Sequence, residues 1–113
     1  MNREILHFIN GVFVPSASGR TFAKHHPATG EEIAQVHEAG EPEVDAAVAA
    51  AQAALRGPWG NLGMAERARI LQAVASGIEA RFDEFLEAEC ADTGKPFAFA
   101  RAVDIPRGAA NFR

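Results

Sequence analysis

Residues 65–96 read AERARILQAVASGIEARFDEFLEAECADTGKP, and this stretch carries the strongest structural signal in the chain. Its large apolar side chains recur at spacings of three and four residues, the periodicity of one face of an α-helix. They are Ile70, Leu71, Val74, Ile78, Phe82, Phe85 and Leu86. Gly94 suits the C-cap of such a helix, and Pro96 lies just beyond it. The sequence therefore predicts one long helix over residues 65–92.

Two further helices are predicted on either side of this one. The first of these helices is predicted to begin near residue 41. Pro42 suits the first helical position, where its missing N–H costs no hydrogen bond. One apolar stripe then follows, formed by Val44, Val48, Ala51 and Leu55. Residues 57–58, Gly-Pro, end this helix, and we expect Trp59 to be a buried plug in the glycine-rich link. A third helix is predicted from about Phe97, which Pro106 must kink or interrupt.

The first 37 residues have the pattern of strands and turns. Residues 6–9 and 12–14 flank Asn10-Gly11, the dipeptide that best satisfies the positive φ angles of a type I′ hairpin turn. An extended piece at residues 21–24 leads to a turn at residues 27–30, and residues 33–37 are predicted as another strand. The fold class is therefore α/β, with strands and turns in residues 1–40 and helices in residues 41–113.

Composition and charge exclude several classes of function. Of the 113 residues, 48% are apolar and 23% are charged, and the net charge of −4 is dispersed along the chain. Without a basic stripe or an apolar run of ~18 residues, neither nucleic acid nor a membrane is an expected partner. One cysteine precludes an intramolecular disulfide, and no signal-peptide core is apparent, so we expect a cytoplasmic protein.

The residues that could carry chemistry each have a simpler structural explanation. Cys90 lies near the negative end of a helix among acidic residues, which disfavours a thiolate, so it is predicted to be a small core residue. His25 and His26 are adjacent on an extended segment and point to opposite faces, and no partner lies at a zinc-like spacing. The glycine series in residues 57–63 has the wrong context for a dinucleotide fingerprint. No catalytic constellation is evident.

Several short motifs resemble, in order and spacing, the opening of the aldehyde dehydrogenase superfamily. They are FING at 8–11, SGRTF at 18–22, PATGE at 27–31, EVDAAV at 43–48, Trp59, ERARIL at 66–71 and TGKP at 93–96. The segments ARAVDIPR at 100–107 and NFR at 111–113 further resemble the 2-hydroxymuconate and 2-aminomuconate semialdehyde dehydrogenases. Betaine aldehyde dehydrogenases are similar here but usually lack the Ile-Pro-Arg continuation.

The resemblance implies that residues 1–113 are the N-terminal portion of an incomplete aldehyde dehydrogenase cofactor-binding domain. The implied enzyme is roughly four times longer and homo-oligomeric, and it oxidises semialdehydes from aromatic-ring cleavage with NAD. In that family a thiolate attacks the aldehyde, hydride passes to the nicotinamide, and an activated water hydrolyses the thioester. In the family, the catalytic machinery lies downstream of the part that this chain matches. It consists of the nucleophile, the general-base glutamate, the oxyanion-stabilising asparagine and the Rossmann segment. None of these matches a position in residues 1–113, and Cys90 does not correspond to the nucleophile. This chain alone is expected to have no catalytic or cofactor-binding residue, to be inactive and not to bind NAD.

One site of the family maps onto this chain, a monovalent cation site for K⁺ or Na⁺. The resemblance places main-chain carbonyls of Lys24 and His25 and the aspartate Asp104 around the cation, and oxygen ligands suit a hard cation. Two features count against the site: His26 stands where the family usually has asparagine, and Lys24 brings a competing positive charge. Asp104 could equally be an ordinary acid on a helix surface.

Two other functions remain open from the sequence. One is a fragment of a betaine-aldehyde-type dehydrogenase. The other is a non-catalytic scaffold or interaction module derived from the same fold, which would bind a partner through its uncovered apolar helix faces. A complete small protein of unrelated function is disfavoured, because the motifs match in register along the whole chain.

Overall fold

A computed structural model describes residues 3–113 of the chain, so residues 1–2 of the predicted domain lie outside the described part. Residue contacts divide it into two compact units. The strand unit comprises residues 3–25 and 31–61, and the helix unit comprises residues 26–30 and 62–113. The strand unit therefore extends past residue 40, where the strands end, and includes helical residues up to residue 61.

The strand unit contains a two-stranded hairpin and a three-stranded sheet. In the hairpin, β2 (His7–Ile9) pairs antiparallel with β3 (Val12–Val14), with Phe8 opposite Phe13. Asn10 and Gly11 have φ angles of 51° and 81°, which confirms the predicted turn. In the sheet, β5 (Glu32–His37) is central, parallel to β1 (Arg3–Ile5) and antiparallel to β4 (Thr21–His25).

Helix α1 (Glu41–Ala54) completes the regular part of the strand unit, and the short helix α2 (Pro58–Asn61) follows it. Pro42 lies in the first turn of α1, as predicted. The expected buried position of Trp59 is wrong, because this residue lies in α2 and is 38% exposed. Gly60 explains the local path of the chain: a Cβ at this position would collide with the carbonyl oxygen of Leu55.

The helix unit contains two helices where the sequence predicts one. Helix α3 (Met64–Ala80) ends at Arg81, and α4 (Phe82–Thr93) begins directly after it. Arg81 has φ −110° and ψ 29°, outside the helical region, and its N–H bonds back to the carbonyls of Gly77 and Ile78. A break of one residue leaves the spacing of three and four intact, so the apolar pattern could not reveal it.

The end of α4 and the elements after it follow the prediction more closely. Gly94 has φ 71° and donates its N–H to the carbonyl of Cys90, as a left-handed C-cap does. Helix α5 (Phe97–Phe99) leads into a π-helical segment (Ala100–Asp104) and then into α6 (Ile105–Ala110). The expected interruption near Pro106 is thus a π-bulge, in which the N–H of Ile105 bonds to the carbonyl of Ala100.

The apolar core that the structure describes lies in the helix unit. Leu86, Cys90, Ala100 and Ile105 form one buried cluster, against which Ile78 and Phe82 pack. The break at Arg81 and the π-bulge are the two irregularities that orient these helical segments around the cluster. Residues 26–30 belong to the same unit, where Pro27 and Ala28 lie against Gly94.

Candidate functional site

Cys90 has the environment of a core residue and lacks that of a nucleophile. It is 2% exposed and lies in the apolar cluster with Leu86, Ala100 and Ile105. A catalytic thiol needs access to substrate and a nearby positive charge or base. The prediction that Cys90 is a buried structural residue is confirmed.

Lys24 and His25 are the last two residues of β4, in the strand unit. Lys24 pairs with Ala34 and His25 with Glu32, and a β-bulge between them shifts the register of the ladder. Asp104 is the last residue of the π-helical segment, in the helix unit. Residues 3–113 contain no group of three histidine, cysteine or acidic side chains that could hold a metal ion.

His26 forms a local hydrogen bond of the kind that an asparagine side chain forms. Its Nδ1 accepts the backbone N–H of Ala28 at 3.1 Å, two residues further along the chain. An asparagine side chain makes the same bond through its oxygen in an Asx turn. The turn then closes with the N–H of Gly30 donating to the carbonyl of His26 at 2.8 Å. Histidine at position 26 is therefore compatible with the turn at residues 27–30.

Asp104 is engaged by a lysine that the sequence analysis did not connect with it. The ammonium of Lys95 lies 2.9 Å from Oδ2 of Asp104 and 3.2 Å from Oε1 of Glu89. These hydrogen bonds, that to Asp104 first and that to Glu89 second, raise the pKa of Lys95 above its ordinary value. Three groups separated by six and nine residues thus form one charge cluster, which we call the Lys95 cluster.

The Lys95 ammonium counts against the binding of a free monovalent cation by the Asp104 side chain. A cation bound to its carboxylate would lie close to the Lys95 ammonium and would be repelled by it. In addition, one of the two carboxylate oxygens already accepts a charge-assisted hydrogen bond. The positive charge at Asp104 is therefore supplied by the chain itself.

An open groove of about 370 Å³ lies beside the Lys95 cluster, within the helix unit. Its walls are Ile78, Phe85, Glu89, Asp104, Ile105, Gly108 and Phe112. The lining is apolar except for the two acids, and both of these are partners of Lys95. The groove offers no nucleophile, and nothing in it resembles a catalytic acid–base pair.

Glu43 is a charged group with a specific structural role in the strand unit. Its Oε1 accepts the N–H of Ala17 at 2.6 Å and its Oε2 accepts the N–H of Gly40 at 2.7 Å. These bonds, chiefly the one from Ala17, lower the pKa of Glu43, although burial opposes the shift. Because Gly40 is the N-cap of α1, the bond to it is half of a capping box, the glycine having no side chain to complete the other half.

A histidine fixes the same loop from the sheet. Nδ1 of His37 accepts the N–H of Ser16 at 3.0 Å, and the ring packs edge-on against His7, with centroids 6.5 Å apart. With Glu43, this bond ties the loop after β3 to both β5 and α1. The sequence analysis missed this role of Glu43; its signal was a glutamate three residues after the N-cap position.

Comparison with known proteins identifies the family. The model of the aldehyde dehydrogenase family matches residues 13–113. The chain belongs to the aldehyde dehydrogenase family. The resemblance inferred from the sequence motifs is therefore confirmed.

Curated relatives narrow the comparison to semialdehyde dehydrogenases. The chain is 68% identical over 111 residues to a 2-hydroxymuconic semialdehyde dehydrogenase from Pseudomonas sp. strain CF600. It is 45% identical over 111 residues to a 2-aminomuconic 6-semialdehyde dehydrogenase from Pseudomonas sp.. Each alignment covers 98% of this chain, but the chain spans only 23% and 22% of the respective relatives.

Solved structures confirm the fold class. The NAD⁺ complex of aldehyde dehydrogenase from Bacillus cereus matches 98% of this chain with a TM-score of 0.93 and 42% identity. The match covers 23% of that chain.

No helix in residues 3–113 combines the length and the apolar character that crossing a membrane requires.

Proposed function

We propose that this chain is the N-terminal portion of an NAD-dependent dehydrogenase that oxidises 2-hydroxymuconic semialdehyde to the corresponding carboxylic acid. The observation that carries the proposal is the gap in identity between relatives. Identity reaches 68% with a 2-hydroxymuconic semialdehyde dehydrogenase and 45% with a 2-aminomuconic 6-semialdehyde dehydrogenase over the same number of residues. The oxidation belongs to the degradation of aromatic compounds after ring cleavage.

Within that enzyme, residues 1–113 serve as scaffold of the cofactor-binding domain. Cys90 is buried in the apolar cluster and therefore lacks the access to substrate that a nucleophile needs. The longer protein would hold NAD through residues outside this chain, and the nicotinamide would supply the hydride acceptor. The chain by itself neither oxidises aldehyde nor binds NAD.

The proposed protein is a cytoplasmic homo-oligomer whose partner is a small aldehyde. The acidic and dispersed charge, −4 overall, supports a soluble aldehyde in preference to nucleic acid as the ligand. The single, buried cysteine supports a reducing compartment.

A monovalent cation, K⁺ or Na⁺, is proposed to contact this chain through the main-chain carbonyls of Lys24 and His25. Carbonyl oxygens suit such a cation whatever the side chain, and the β-bulge at these two residues supports the proposal, since it interrupts the regular ladder there. Asp104, the third residue that the family resemblance implies, stays a prediction, and its carboxylate accepts a hydrogen bond from Lys95.

The test is to express the product of the open reading frame that contains these codons alongside the 113-residue chain. Purified proteins are assayed for NADH formation with 2-hydroxymuconic semialdehyde, 2-aminomuconic semialdehyde and betaine aldehyde. We expect the longer product to prefer the first substrate and the 113-residue chain to form no NADH with any of them. Preference for betaine aldehyde would overturn the substrate, and NADH formation by the short chain would overturn its scaffold role.

A second candidate function rests on the exposed apolar stripe of α1. Val44, Val48 and Leu55 are 53%, 51% and 71% exposed, which is unusual for the apolar face of a packed helix. A reading frame that stops after Arg113, together with stable and soluble expression, would favour an interaction module. A frame that continues into a glycine-rich cofactor segment and a downstream cysteine would favour the dehydrogenase.

A further inference from the structure

We propose that His37 is a pH switch for the loop after β3, residues 15–20. The neutral imidazole holds the N–H of Ser16, and protonation of Nδ1 releases this N–H while Glu43 still holds the next one, that of Ala17. The inference concerns the strand unit alone and does not depend on the substrate of the longer protein. Its observation is that two acceptors of different chemistry hold adjacent amides of one loop.

The bond between His37 and Ser16 exists in one protonation state of the imidazole only. Nδ1 accepts the Ser16 N–H at 3.0 Å, so it carries no proton of its own. An imidazolium has an N–H at both ring nitrogens, and the one at Nδ1 would point at the N–H of Ser16. Because two donors cannot bond each other and Ser16 is only 6% exposed, the amide gains a new acceptor only if the loop moves. Protonation of His37 therefore separates the loop from β5.

The other ring nitrogen gives the imidazolium no alternative partner. In the part of the chain that the structure describes, Nε2 of His37 is buried without a hydrogen-bond partner, as is Nε2 of His7. The two rings are in edge contact, with centroids 6.5 Å apart. A buried charge is retained only where acceptors or opposite charges hold it. The charged ring of His37 is thus not held in its present contact with the loop.

Charged groups close to His37 in sequence or in space are already engaged or exposed. Glu38, the next residue, pairs with Arg20 at 2.9 Å. Both carboxylate oxygens of Glu43, on α1, accept backbone N–H groups. The other acids in the first two turns of α1 are exposed, namely Glu41 and Asp45.

The strands beside β5 carry their charges further along the sheet. On β4 the residue opposite His37 is the uncharged Thr21, and on β1 the pairing with β5 ends at Val36. The charged residues of these three strands pair nearer the other end of β5; they are Arg3, Glu4, Lys24, His25 and Glu32. His7, in contact with the ring, and Glu43, in contact with the loop, are therefore the groups whose titration must be separated from that of His37.

The two anchors of the loop respond to acid in different ranges. A histidine side chain changes charge between about pH 5 and pH 8. The N–H groups of Ala17 and Gly40 lower the pKa of Glu43 below 4.5, so its carboxylate stays ionised throughout that range. As the pH falls from about 8 to about 5, the contact with Ser16 is lost and the contact with Ala17 is kept. Acid therefore loosens the start of the loop without detaching the loop from α1.

Amide hydrogen exchange of the 113-residue chain, measured by NMR at about pH 7.5 and about pH 5.5, tests the proposal. Each rate is divided by the intrinsic rate of an unfolded peptide at the same pH. We expect the normalised rate at Ser16 to rise roughly fivefold on acidification, as the loss of one hydrogen bond implies, and the rate at Ala17 to stay constant. An unchanged rate at Ser16, or an equal rise at both residues, overturns the proposal.

A variant assigns the response to His37. Asparagine in His37→Asn places an oxygen near the position of Nδ1 and takes up no proton in this range, so the acid response at Ser16 should disappear. His26→Asn is the matched control, because His26 also accepts a backbone N–H, and it should leave the response at Ser16 unchanged. If the response survives in His37→Asn, another group titrates and the proposal fails.

A measurement on the wild type makes the test independent of whether asparagine reaches Ser16. The hydrogen bond from the Ser16 amide to Nδ1 of His37 joins two nitrogens and transmits a ¹⁵N–¹⁵N coupling. We expect this coupling to be present at about pH 7.5 and lost at about pH 5.5. A coupling that is absent at both pH values, or present at both, overturns the proposal.

Discussion

The two units of this chain are stabilised by different kinds of interaction. In the helix unit, six apolar residues are buried, namely Ala75, Leu86, Cys90, Ala100, Ile105 and Ala109. In the strand unit, the buried residues of the described chain are Ala34, Ser16 and Glu43, of which two are polar. The helix unit is therefore held mainly by apolar packing, and the strand unit by specific bonds from side chains to the backbone.

The strand unit shows how a loop can be held in one conformation without a large apolar core. The loop after β3 is fixed because Glu43 binds the N–H of Ala17 and His37 binds the N–H of Ser16. Such bonds are directional and specify one geometry, but each contributes a modest net free energy. Apolar packing is less directional and contributes more per residue. Substitutions in the two units should therefore differ in the size of their effect.

The largest effect is expected from Leu86→Ala in the helix unit. Leu86 is 1% exposed within the apolar cluster, so truncation removes buried methyl groups and leaves a cavity. We expect the free energy of unfolding to fall by about 3 kcal/mol, measured by urea unfolding with circular dichroism detection. Leu71→Ala, the same change at a side chain that is 39% exposed, is the matched control and should cost about 1 kcal/mol or less. Equal losses would contradict a core centred on Leu86.

Smaller effects of opposite sign on the free energy of unfolding are expected when two glycines of the helix unit are replaced by alanine. An alanine at position 94 would have to adopt a φ of +71°, and its Cβ would lie 3.2 Å from the Cβ of Pro27, so Gly94→Ala should destabilise by about 1–2 kcal/mol. Gly108 lies in α6 with nothing within 4 Å of its Cβ position. Gly108→Ala should therefore stabilise by about 0.5–1 kcal/mol. Urea unfolding of both variants measures the contrast; destabilisation by both would show that α6 is more tightly packed than described.

In the strand unit, Glu43→Gln should loosen the loop without unfolding the chain. Glutamine presents one oxygen and one NH₂ group, so it cannot accept both the Ala17 and the Gly40 N–H. We expect amide hydrogen exchange at these two residues to accelerate roughly fivefold, as loss of one such bond implies. Glu41→Gln, in the same first turn, is the control and should leave both rates unchanged. Acceleration spread evenly over the unit would mean that Glu43 has no specific role.

The same carboxylate makes a prediction about pH. Its pKa is lowered below the ordinary value of 4.5 by the N–H groups of Ala17 and Gly40, so the folded form favours the ionised state. The stabilisation is complete above the unfolded pKa and is lost as the pH falls through the folded pKa. Exchange at Ala17 should accordingly accelerate below pH ~4.5 beyond its intrinsic rate, and Glu43→Gln should abolish this excess. A wild-type excess that persists in the variant would assign the effect to another acid.

Features of the fold that depend on residues close together in sequence could be predicted, whereas those that depend on the path of the chain between distant residues could not. The hairpin was predictable because Asn10 and Gly11 must supply two positive φ angles between paired residues. The end of α4 was predictable from Gly94, and the burial of Cys90 from its neighbours. The break at Arg81 was not, because it preserves the apolar spacing that marks a helix. The pairing of Lys95 with Asp104 depends on the path of the chain through a left-handed cap and a π-bulge, which no local pattern specifies.

The smallest effect on stability is expected at His26. Two substitutions there separate the hydrogen bond to Ala28 from the other properties of the histidine ring. His26→Ala removes the acceptor of the Ala28 N–H and should destabilise by about 0.5 kcal/mol, because the bond is exposed. His26→Asn supplies a side-chain oxygen for the same bond and should retain wild-type stability. Urea unfolding measures both variants, and the amide exchange rate of Ala28 reports directly on the bond. If asparagine behaves like alanine, the histidine ring stabilises this turn through packing, and the hydrogen bond accepted by Nδ1 is not what suits histidine to this position.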